Sequence, residues 1–397
     1  MRFLANKPQP ALRMRVAIVT ETWPPEINGV ALTVQSLTQE LAALGHVVEL
    51  VRPRQDSDAD SPLSQPYEQV LLAGASMPRY RGLRFGLPAQ HALHRRWSGL
   101  RPDVLYIATE GPLGLTALSA SRRLGIPVCT GFHTRFDDFA RHYGLGLLTP
   151  IVFAYLRRFH NRASATLVPT SELAEFLRAN GFRNVQLLPR AVDTDLFRPE
   201  RRDQTLRAQW GLAATDLAVI HVGRVAPEKN LDLAVRAFNA IRQREPTARF
   251  VIVGDGPTRA ALAARHPDIV FAGIRRGEDL ARHYASADLF LFPSLSETFG
   301  NVTLEALASG VPVVAFDYGA ARAHIHDARA GMLAPRSDDD AFVDAALALS
   351  TLVRSCAETA ATTLRDAARA SVTSLSTSSV AQHFADLLGR LSTRRAA

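Results

Sequence analysis

Cysteine is scarce in this chain of 397 residues, which contains only Cys129 and Cys356. Two cysteines in different halves of a sequence cannot form a disulfide framework or a multi-cysteine metal site. Cys129 lies in an apolar run and is predicted to be a small core residue. The scarcity favours a reducing, cytoplasmic compartment.

Long hydrophobic runs are also missing. The most apolar stretch, residues 143–156, contains Pro150 and is about six residues short of a membrane span. Residues 1–13 carry charge without the apolar region of a secretory signal. We therefore interpret them as a leader, with Met14 as an alternative start, and expect a chain that does not span a membrane.

Acidic side chains are outnumbered. Lys and Arg total 46 against 38 Asp and Glu, which gives a formal charge of +8 and a pI of about 10.0. This balance favours anionic partners such as nucleotides or an anionic membrane surface. Nucleic acid is not expected as a partner, because no recognised nucleic-acid-binding motif accompanies the charge.

Several catalytic motifs are absent. The chain has no dinucleotide fingerprint, Walker pattern or G-x-S-x-G elbow, which disfavours a dehydrogenase, an NTPase and a serine hydrolase. Two D-x-D sequences, in residues 56–60 and 193–195, lie in a polar loop and in the connection between the two halves. We interpret both as turns and predict no required metal and no cofactor.

Strands and helices alternate twice along the chain, which predicts an α/β protein with parallel sheets. The periodicity breaks near residues 190–215. The expected architecture is two doubly wound, Rossmann-like domains that face each other across a cleft. We assign residues 1–195 to the first domain and residues 196–375 to the second. Residues 376–397 are expected to form a helix that packs back on the first domain.

A basic loop, GRVAPEKNL, follows the first strand of the second half. Arg224 and Lys229 lie at or beside the carboxyl end of that strand, where open parallel sheets bind ligands. They can neutralise a departing diphosphate without a metal, and the alternative is a solvated basic loop. In the next strand-end turn, GDGP, Gly256 would let a flat base approach the backbone, although G-D-G is also an ordinary turn signal.

The strongest motif is ETFGNVTLE, which begins at Glu297 and ends at Glu305. The backbone N–H groups of Phe299, Gly300 and Asn301 open a short helix and suit a diphosphate. Glu297 precedes the turn and would face the sugar. Glu305, placed on the first helical turn, would accept hydrogen bonds from ribose hydroxyls. The alternative is a solvated Glu297 and a Glu305 that only complements the helix dipole, but their joint spacing favours function.

Two loops of the first half carry further candidates. Asn28 and Gly29 end the loop after the first strand, and the Gly29 N–H could approach a phosphate without interference from a Cβ. The alternative is a Pro-rich turn with an ordinary helix start. His133 ends a strand on the predicted cleft side and is a candidate to bind the sugar. Asp137 and Asp138 would orient the acceptor or cap the next segment.

Six arginines and no acidic residue lie between Arg79 and Arg101. The same segment contains apolar side chains, among them Phe85 and Trp97. Arginines at lipid headgroups and apolar residues at the interface would let this segment rest on an anionic bilayer. A solvated helix face is the alternative.

With these residues in place, the chain resembles glycosyltransferase family 4, which has the GT-B fold. The resemblance spans about residues 15–352 and rests on VTETWPPEINGV, GFHTRF, LLPRAVDTDLF, HVGRVAPEKNL, VGDGP and SETFGNVTLEALASGVPVV. It implies a retaining, metal-independent transfer from a nucleotide sugar, with the leaving phosphate as the base. The residues so implied are His133 and Glu297 at the sugar, Gly29, Arg224 and Lys229 at the phosphates, the amides of Phe299, Gly300 and Asn301 at both, and Glu305 at the ribose.

Within the family, the stretch YLRRFHNRASATLVP particularly resembles GDP-mannose-dependent alpha-mannosyltransferases and the glycolipid-forming sulfoquinovosyl type. The resemblance implies mannose transfer from GDP-mannose to a lipid-linked or glycan acceptor, in the cytoplasm or at the inner face of the membrane. One alternative is a UDP-sugar-dependent transferase or synthase with a small soluble acceptor. Another is a non-catalytic nucleotide-sugar binding protein. The loop reads Asn28-Gly29 where many relatives have two glycines.

Overall fold

The computed structural model describes residues 13–26, 29–55, 58, 65–76, 84–133, 149–297, 299–355 and 361–393. The chain divides into two compact units. Unit 1 comprises residues 1–189 and 378–397, and unit 2 comprises residues 190–377. The boundary expected from sequence, between residues 195 and 196, lies a few residues C-terminal to this division. The terminal helix belongs to unit 1 by the same division.

The described part of unit 1 contains nine strands and six helices. The strands are β1 (Arg15–Val19), β2 (Val47–Pro53), β3 (Glu68–Leu72), β4 (Gly74–Ser76), β5 (Arg84–Gly86), β6 (Val104–Ile107), β7 (Val128–Gly131), β8 (Ala165–Val168) and β9 (Val185–Leu187). The helices are α1 (Gly29–Ala43), α2 (Gln90–Gly99), α3 (Pro112–Leu124), α4 (Thr149–His160), α5 (Ser171–Ala179) and, after unit 2, α14 (Thr377–Thr393).

Seven of these strands form one parallel sheet in the order β3-β2-β1-β6-β7-β8-β9, and β4 pairs with β5 in an antiparallel ladder. Every residue of β6, β7 and β8 is buried. Continuous apolar strands of this kind are covered on both faces by helices. Cys129 on β7 is buried, as predicted, and its burial raises the pKa of the thiol far above its usual range. The ring of Phe384 on α14 packs edge-on against Tyr106, with 5.0 Å between centroids.

The described part of unit 2 contains six strands and eight helices longer than one turn. The strands are β10 (Ala218–Val222), β11 (Arg249–Val253), β12 (Val270–Gly273), β13 (Leu289–Phe292), β14 (Val313–Phe316) and β15 (Gly331–Ala334). The helices are α6 (Gln204–Gln209), α7 (Leu231–Arg244), α8 (Arg259–Arg265), α9 (Gly277–Ala285), α10 (Asn301–Ala308), α11 (Gly319–His324), α12 (Asp339–Ser355) and α13 (Ala361–Ala370).

The unit 2 sheet is also parallel, in the order β12-β11-β10-β13-β14-β15. Its strand order reverses between β10 and β13, as the order of unit 1 reverses between β1 and β6. Open sheets of this type bind ligands at the carboxyl ends of the strands beside such a reversal. The predicted α/β class with two doubly wound units is confirmed.

The sequence did not predict β3, β15, the β4–β5 pair, α2, α6 or α11. Both β3 and β15 are edge strands of their sheets, and neither is a fully buried apolar run. Helix α2 is mostly polar and is fixed by tertiary contacts: Trp97 is fully buried and donates its indole N–H to Glu49 at 2.8 Å. Among the described helices, none combines the length and the apolar character needed to cross a bilayer.

Candidate active site

Lys229 and Glu297 meet at the carboxyl edge of the unit 2 sheet. Lys229 ends a short 3-10 helix after β10, and Glu297 follows β13, the neighbouring strand. Their side chains form an ion pair in which both are mostly shielded, with 15% and 16% of each side chain exposed. Ser294 donates a second hydrogen bond to Glu297 Oε1 at 2.7 Å. Two oppositely charged groups are therefore held together at the edge where ligands bind.

Arg224 lies in the same loop but does not share this pairing. Its side chain is 66% exposed, and its charged neighbour is Glu228, at 3.6 Å between Arg224 Nη1 and Glu228 Oε1. Such an exposed pair contributes little to stability. The guanidinium is thus available to an incoming anion at low cost.

The GDGP turn packs tightly against the Arg224 loop. A Cβ placed on Gly256 would lie 2.3 Å from the carbonyl oxygen of Val225, and one on Gly254 would lie 1.9 Å from that of Gly223. The backbone N–H of Val225 donates to Asp255 O at 3.0 Å. The structure therefore gives these glycines a role that the sequence did not suggest, which is close approach of two protein loops.

Helix α10 begins beside Glu297. Gly300, its N-cap, has φ 97°, a left-handed conformation that favours glycine. The Phe299 side chain is 3% exposed, and its carbonyl accepts from Ala320 N at 2.8 Å, so this turn is anchored in the core. The first N–H groups of a helix have no acceptor within it and carry a partial positive charge. The turn, with Asn301 as first helical residue, thus offers an anion site near the ion pair.

Glu305 lies on the second turn of α10, five residues into the helix, and its assignment to the first turn was wrong. Because the helix begins at Asn301 and one helical turn holds 3.6 residues, Glu305 falls just beyond the first turn. Glu305 Oε2 accepts from the hydroxyl of Tyr284 at 3.0 Å. Burial raises the pKa of the carboxyl to about 7, and the hydrogen bond from Tyr284 opposes part of this rise.

His221 is a buried histidine close to the Arg224 loop that the sequence analysis did not single out. It lies on β10, two residues before Gly223, and is fully buried. Its Nδ1–H donates to Leu291 O at 3.0 Å, and burial lowers the pKa to about 4, so the ring is neutral at pH 7. Within the described residues, Nε2 has no hydrogen-bond partner. The apolar run LAVIHVG predicts a core strand at this position. The only signal of a polar contact is the imidazole itself.

In unit 1, His133 follows β7 and its Nε2 contacts the hydroxyl of Tyr106 at 2.9 Å. A Cβ on Gly131 would lie 2.4 Å from that hydroxyl and 2.5 Å from His133 Nε2, so a larger residue there would displace this pair. Gly29 is exposed as the first residue of α1. Asn28 lies outside the described residues.

A buried polar chain accompanies His133. His160, fully buried at the end of α4, contacts Thr130 Oγ1 through Nδ1 at 2.9 Å and Glu110 Oε1 through Nε2 at 3.2 Å. Tyr155 donates to the carbonyl of Glu110 at 2.5 Å. Thr130 lies on β7 and Glu110 follows β6, so the chain borders the carboxyl edge of the sheet. No local pattern predicts it, because the residues of each hydrogen-bonded pair are 30 to 50 positions apart in sequence. Asp137 and Asp138 lie outside the described residues.

Part of the arginine-rich segment is engaged in contacts within unit 1. Arg96 pairs with Glu49 at 2.7 Å and also with Glu68. Arg101 donates to the carbonyl of Leu124 at 2.6 Å, at the end of α3. The interpretation of Trp97 as a membrane-interface residue was wrong, because its ring is fully buried. Residues 79–83 lie outside the described part.

The D-x-D sequence at residues 193–195 forms a turn. Asp193 Oδ1 accepts from the backbone N–H groups of Asp195 and Leu196, at 3.1 and 2.8 Å. The oxygen that a metal would need is thereby occupied in a local turn. Within the described residues, no cluster of three or more His, Cys, Asp or Glu side chains has a metal-binding arrangement.

Comparison with known proteins gives matches over both units. Residues 27–196 match a family model described as Glycosyltransferase Family 4, and residues 216–351 match one described as Glycosyl transferases group 1. A GDP-mannose-dependent alpha-mannosyltransferase of Mycobacterium tuberculosis is 36% identical over 332 residues, which cover 81% of this chain and 84% of that protein. A GDP-mannose-dependent alpha-(1-6)-phosphatidylinositol dimannoside mannosyltransferase of the same species is 33% identical and covers 76% and 79%.

The fold is found in solved structures. The sucrose-phosphate synthase of Thermosynechococcus elongatus superposes with a TM-score of 0.72, over 96% of this chain and 99% of that one, at 20% sequence identity. At this identity the likeness establishes the architecture alone. Two Rossmann-like units with parallel sheets are common to both proteins.

Proposed function

Because this chain belongs to glycosyltransferase family 4, a family of GT-B glycosyltransferases, we propose that it transfers mannose from GDP-mannose to a lipid-linked acceptor, with retention of configuration. Relatives at 36% and 33% identity are named for GDP-mannose, and one of them for a phosphatidylinositol-based acceptor. Nucleotide-sugar chemistry also fits the positive charge of the chain. The enzyme works in the cytoplasm, against the inner face of the membrane that carries its acceptor.

The Lys229–Glu297 ion pair carries this proposal. A nucleotide sugar presents an anion and a set of hydroxyls side by side. On binding, the diphosphate forms ion pairs with Lys229 and Arg224 and accepts hydrogen bonds from the N-terminal amides of α10. A sugar hydroxyl donates a hydrogen bond to Glu297. The ion pair keeps both groups in place, and binding exchanges one set of charge contacts for another.

The chemistry then follows from the charges. The bond between the sugar anomeric carbon and the β-phosphate oxygen breaks, and the acceptor hydroxyl oxygen bonds to that carbon on the same face. Its proton passes to the departing phosphate oxygen. Lys229, Arg224 and the start of α10 stabilise the charge that develops on the diphosphate. Within unit 2, Gly256 shapes the base pocket and Glu305 binds the ribose. The candidates of unit 1 are His133 for the sugar and Gly29 and Asn28 for the phosphate.

The first test is a thermal-shift panel of GDP, UDP, ADP and their sugar conjugates, with EDTA present. A ligand that binds only the folded chain raises its Tm by mass action. Selective stabilisation by GDP and GDP-mannose is the expected result. A preference for UDP-sugars would overturn the donor and favour the alternative transferase with a small soluble acceptor. Absence of any shift would favour the non-catalytic binding protein.

A variant links the panel to the site. Arg224→Ala should weaken GDP binding and transfer together, because the same contact serves the ground state and the transition state. The matched control is Arg275→Ala, an arginine of unit 2 that pairs with Asp279 at 3.2 Å. Wild-type GDP affinity in Arg224→Ala would remove Arg224 from the site. Release of free mannose from GDP-mannose without acceptor would exclude the non-catalytic alternative.

A further inference from the structure

Unit 1 exposes an apolar surface on α4 that the donor chemistry does not use. Ile151 is 66% exposed, the largest value among the large apolar residues of the described chain. Tyr155, one turn later on the same face, is 39% exposed. Isolated exposed apolar residues are common on soluble proteins. A pair of them on one helix face is more unusual.

Helix α5 extends this surface. Phe176 is 43% exposed, and its ring lies edge-on to that of Phe153 on α4, with 6.3 Å between centroids. Phe153 also packs against Phe182 in the core, at 5.4 Å. The exposed rings thus rest on a rigid base. We define the α4 patch as Ile151, Ala154, Tyr155 and Phe176.

The charge next to the patch has one sign along α4. The exposed face of this helix is apolar in its first two turns and ends in Arg157 and Arg158, both exposed, and the helix contains no acidic residue. Helix α5 carries Glu172 and Glu175, so the basic character belongs to α4. Apolar side chains followed by arginines match an interface in which the rings enter the acyl boundary and the guanidinium groups meet phosphates.

The same helix leads to the polar chain at the edge of the unit 1 sheet. Tyr155 contacts the Glu110 carbonyl, and His160, one turn later, contacts its carboxylate. A bilayer on the α4 patch would therefore lie close to Glu110. A lipid-linked acceptor could remain in the bilayer while its sugar or polyol headgroup reaches that carboxylate.

We propose that the α4 patch, with Arg157 and Arg158, is the surface on which this protein docks to an anionic lipid bilayer. The proposal rests on the proposed function, which requires a membrane-held acceptor. It replaces the arginine-rich segment 79–101 as the membrane surface, because Trp97 and Arg96 of that segment are engaged within the protein.

The test measures binding of the full chain to vesicles of phosphatidylcholine, with and without about 30% phosphatidylglycerol. Wild-type protein should sediment with the anionic vesicles. Ile151→Glu should lower the partition coefficient about tenfold, since it removes an inserted side chain and adds a negative charge. The matched control is Ile274→Glu, because Ile274 of unit 2 is 63% exposed and should leave binding unchanged.

A second pair of variants tests the charge. Arg158→Gln should lower the partition coefficient about fivefold on anionic vesicles and leave the weak binding to neutral vesicles unchanged. Arg95→Gln changes an equally exposed arginine in the arginine-rich segment and should have no effect. The reverse pattern would overturn the proposal in favour of that segment. Equal vesicle binding by wild type, Ile151→Glu and Phe176→Glu would also overturn it.

Two further measurements distinguish failure of this docking proposal from failure of the proposed function. The shift of Tm by GDP-mannose should be the same in wild type and Ile151→Glu, since the patch is outside the donor site. Transfer to a vesicle-embedded acceptor should fall in Ile151→Glu, while transfer to a short-chain, water-soluble analogue is retained. Absence of a GDP-mannose shift in the wild-type protein would refute the proposed function.

A wild-type dimer that Ile151→Glu dissociates without lipid would assign the patch to contact with a second copy of the chain. That result would overturn the docking proposal.

Discussion

Replacing Glu297 by glutamine should strengthen nucleotide binding and at the same time slow transfer. In the free enzyme Lys229 is paired with Glu297, and that pair must open before Lys229 can serve the diphosphate. Glutamine keeps the shape of the side chain and its hydrogen bond from Ser294 but removes the charge. If opening the partly shielded pair costs about 1 kcal/mol, the variant binds GDP about fivefold more tightly.

Transfer should move in the opposite direction. In the proposed mechanism the carboxylate accepts a sugar hydrogen bond whose strength grows as charge develops, so its neutralisation should lower kcat about a hundredfold. The assay is GDP titration by calorimetry together with initial rates at saturating donor. The control is Glu278→Gln, which neutralises a 76%-exposed carboxylate paired with Arg201 and should change neither quantity.

A double-variant cycle isolates the cause. In a Lys229→Met background, Glu297→Gln should give no gain in GDP affinity, because no ion pair remains to be opened. A gain that persists would come instead from removing repulsion between the carboxylate and the diphosphate. Weaker GDP binding in Glu297→Gln alone would refute the reasoning, since it would mean that Glu297 holds Lys229 in its binding position.

Two further results are expected from unit 2. Gly256→Ala should destabilise the fold by about 1–3 kcal/mol in chemical denaturation, because its Cβ would strike the Val225 carbonyl, whereas Gly99→Ala on α2, with open space around it, should be neutral or stabilising. Burial raises the pKa of Glu305 from 4.5 to about 7, so the folded chain holds a proton that the unfolded chain releases. Stability should therefore fall by about 3 kcal/mol as pH rises from 4.5 to 7, and Glu305→Gln should abolish that slope. An unchanged slope would place the titration elsewhere.

The fold was predictable where burial is complete. Strands such as β6, β8 and β13 are buried at every residue, and their unbroken apolar runs with intervening helices identify parallel sheets. The strands β3 and β15 lack such a fully buried run and were not predicted. Helix α2 was missed for a different reason: its stability comes from buried contacts of Trp97 with residues distant in sequence.

The sequence predicted which loops carry the candidate site residues, but it did not predict which side chains contact one another. Parallel strands bring all their carboxyl ends to one edge, so sequence order alone places Arg224, Lys229 and Glu297 together. The choice of Lys229 over Arg224 as the partner of Glu297 depends on side-chain direction after a short 3-10 helix, which has no periodic signal. His221 and Glu110 make hydrogen bonds to residues 70 and 50 positions away in sequence, and only the tertiary structure shows these contacts.

The division of the chain also sets an order of assembly during synthesis. Unit 2 is continuous, from residue 190 to 377, whereas unit 1 is completed by residues 378–397. A ribosome releases all the strands of unit 1 before it makes α14, which supplies Phe384 against Tyr106. Unit 1 therefore cannot complete its core until the whole of unit 2 has been translated. A chain that terminates before α14 would have a complete unit 2 joined to a unit 1 that lacks this helix.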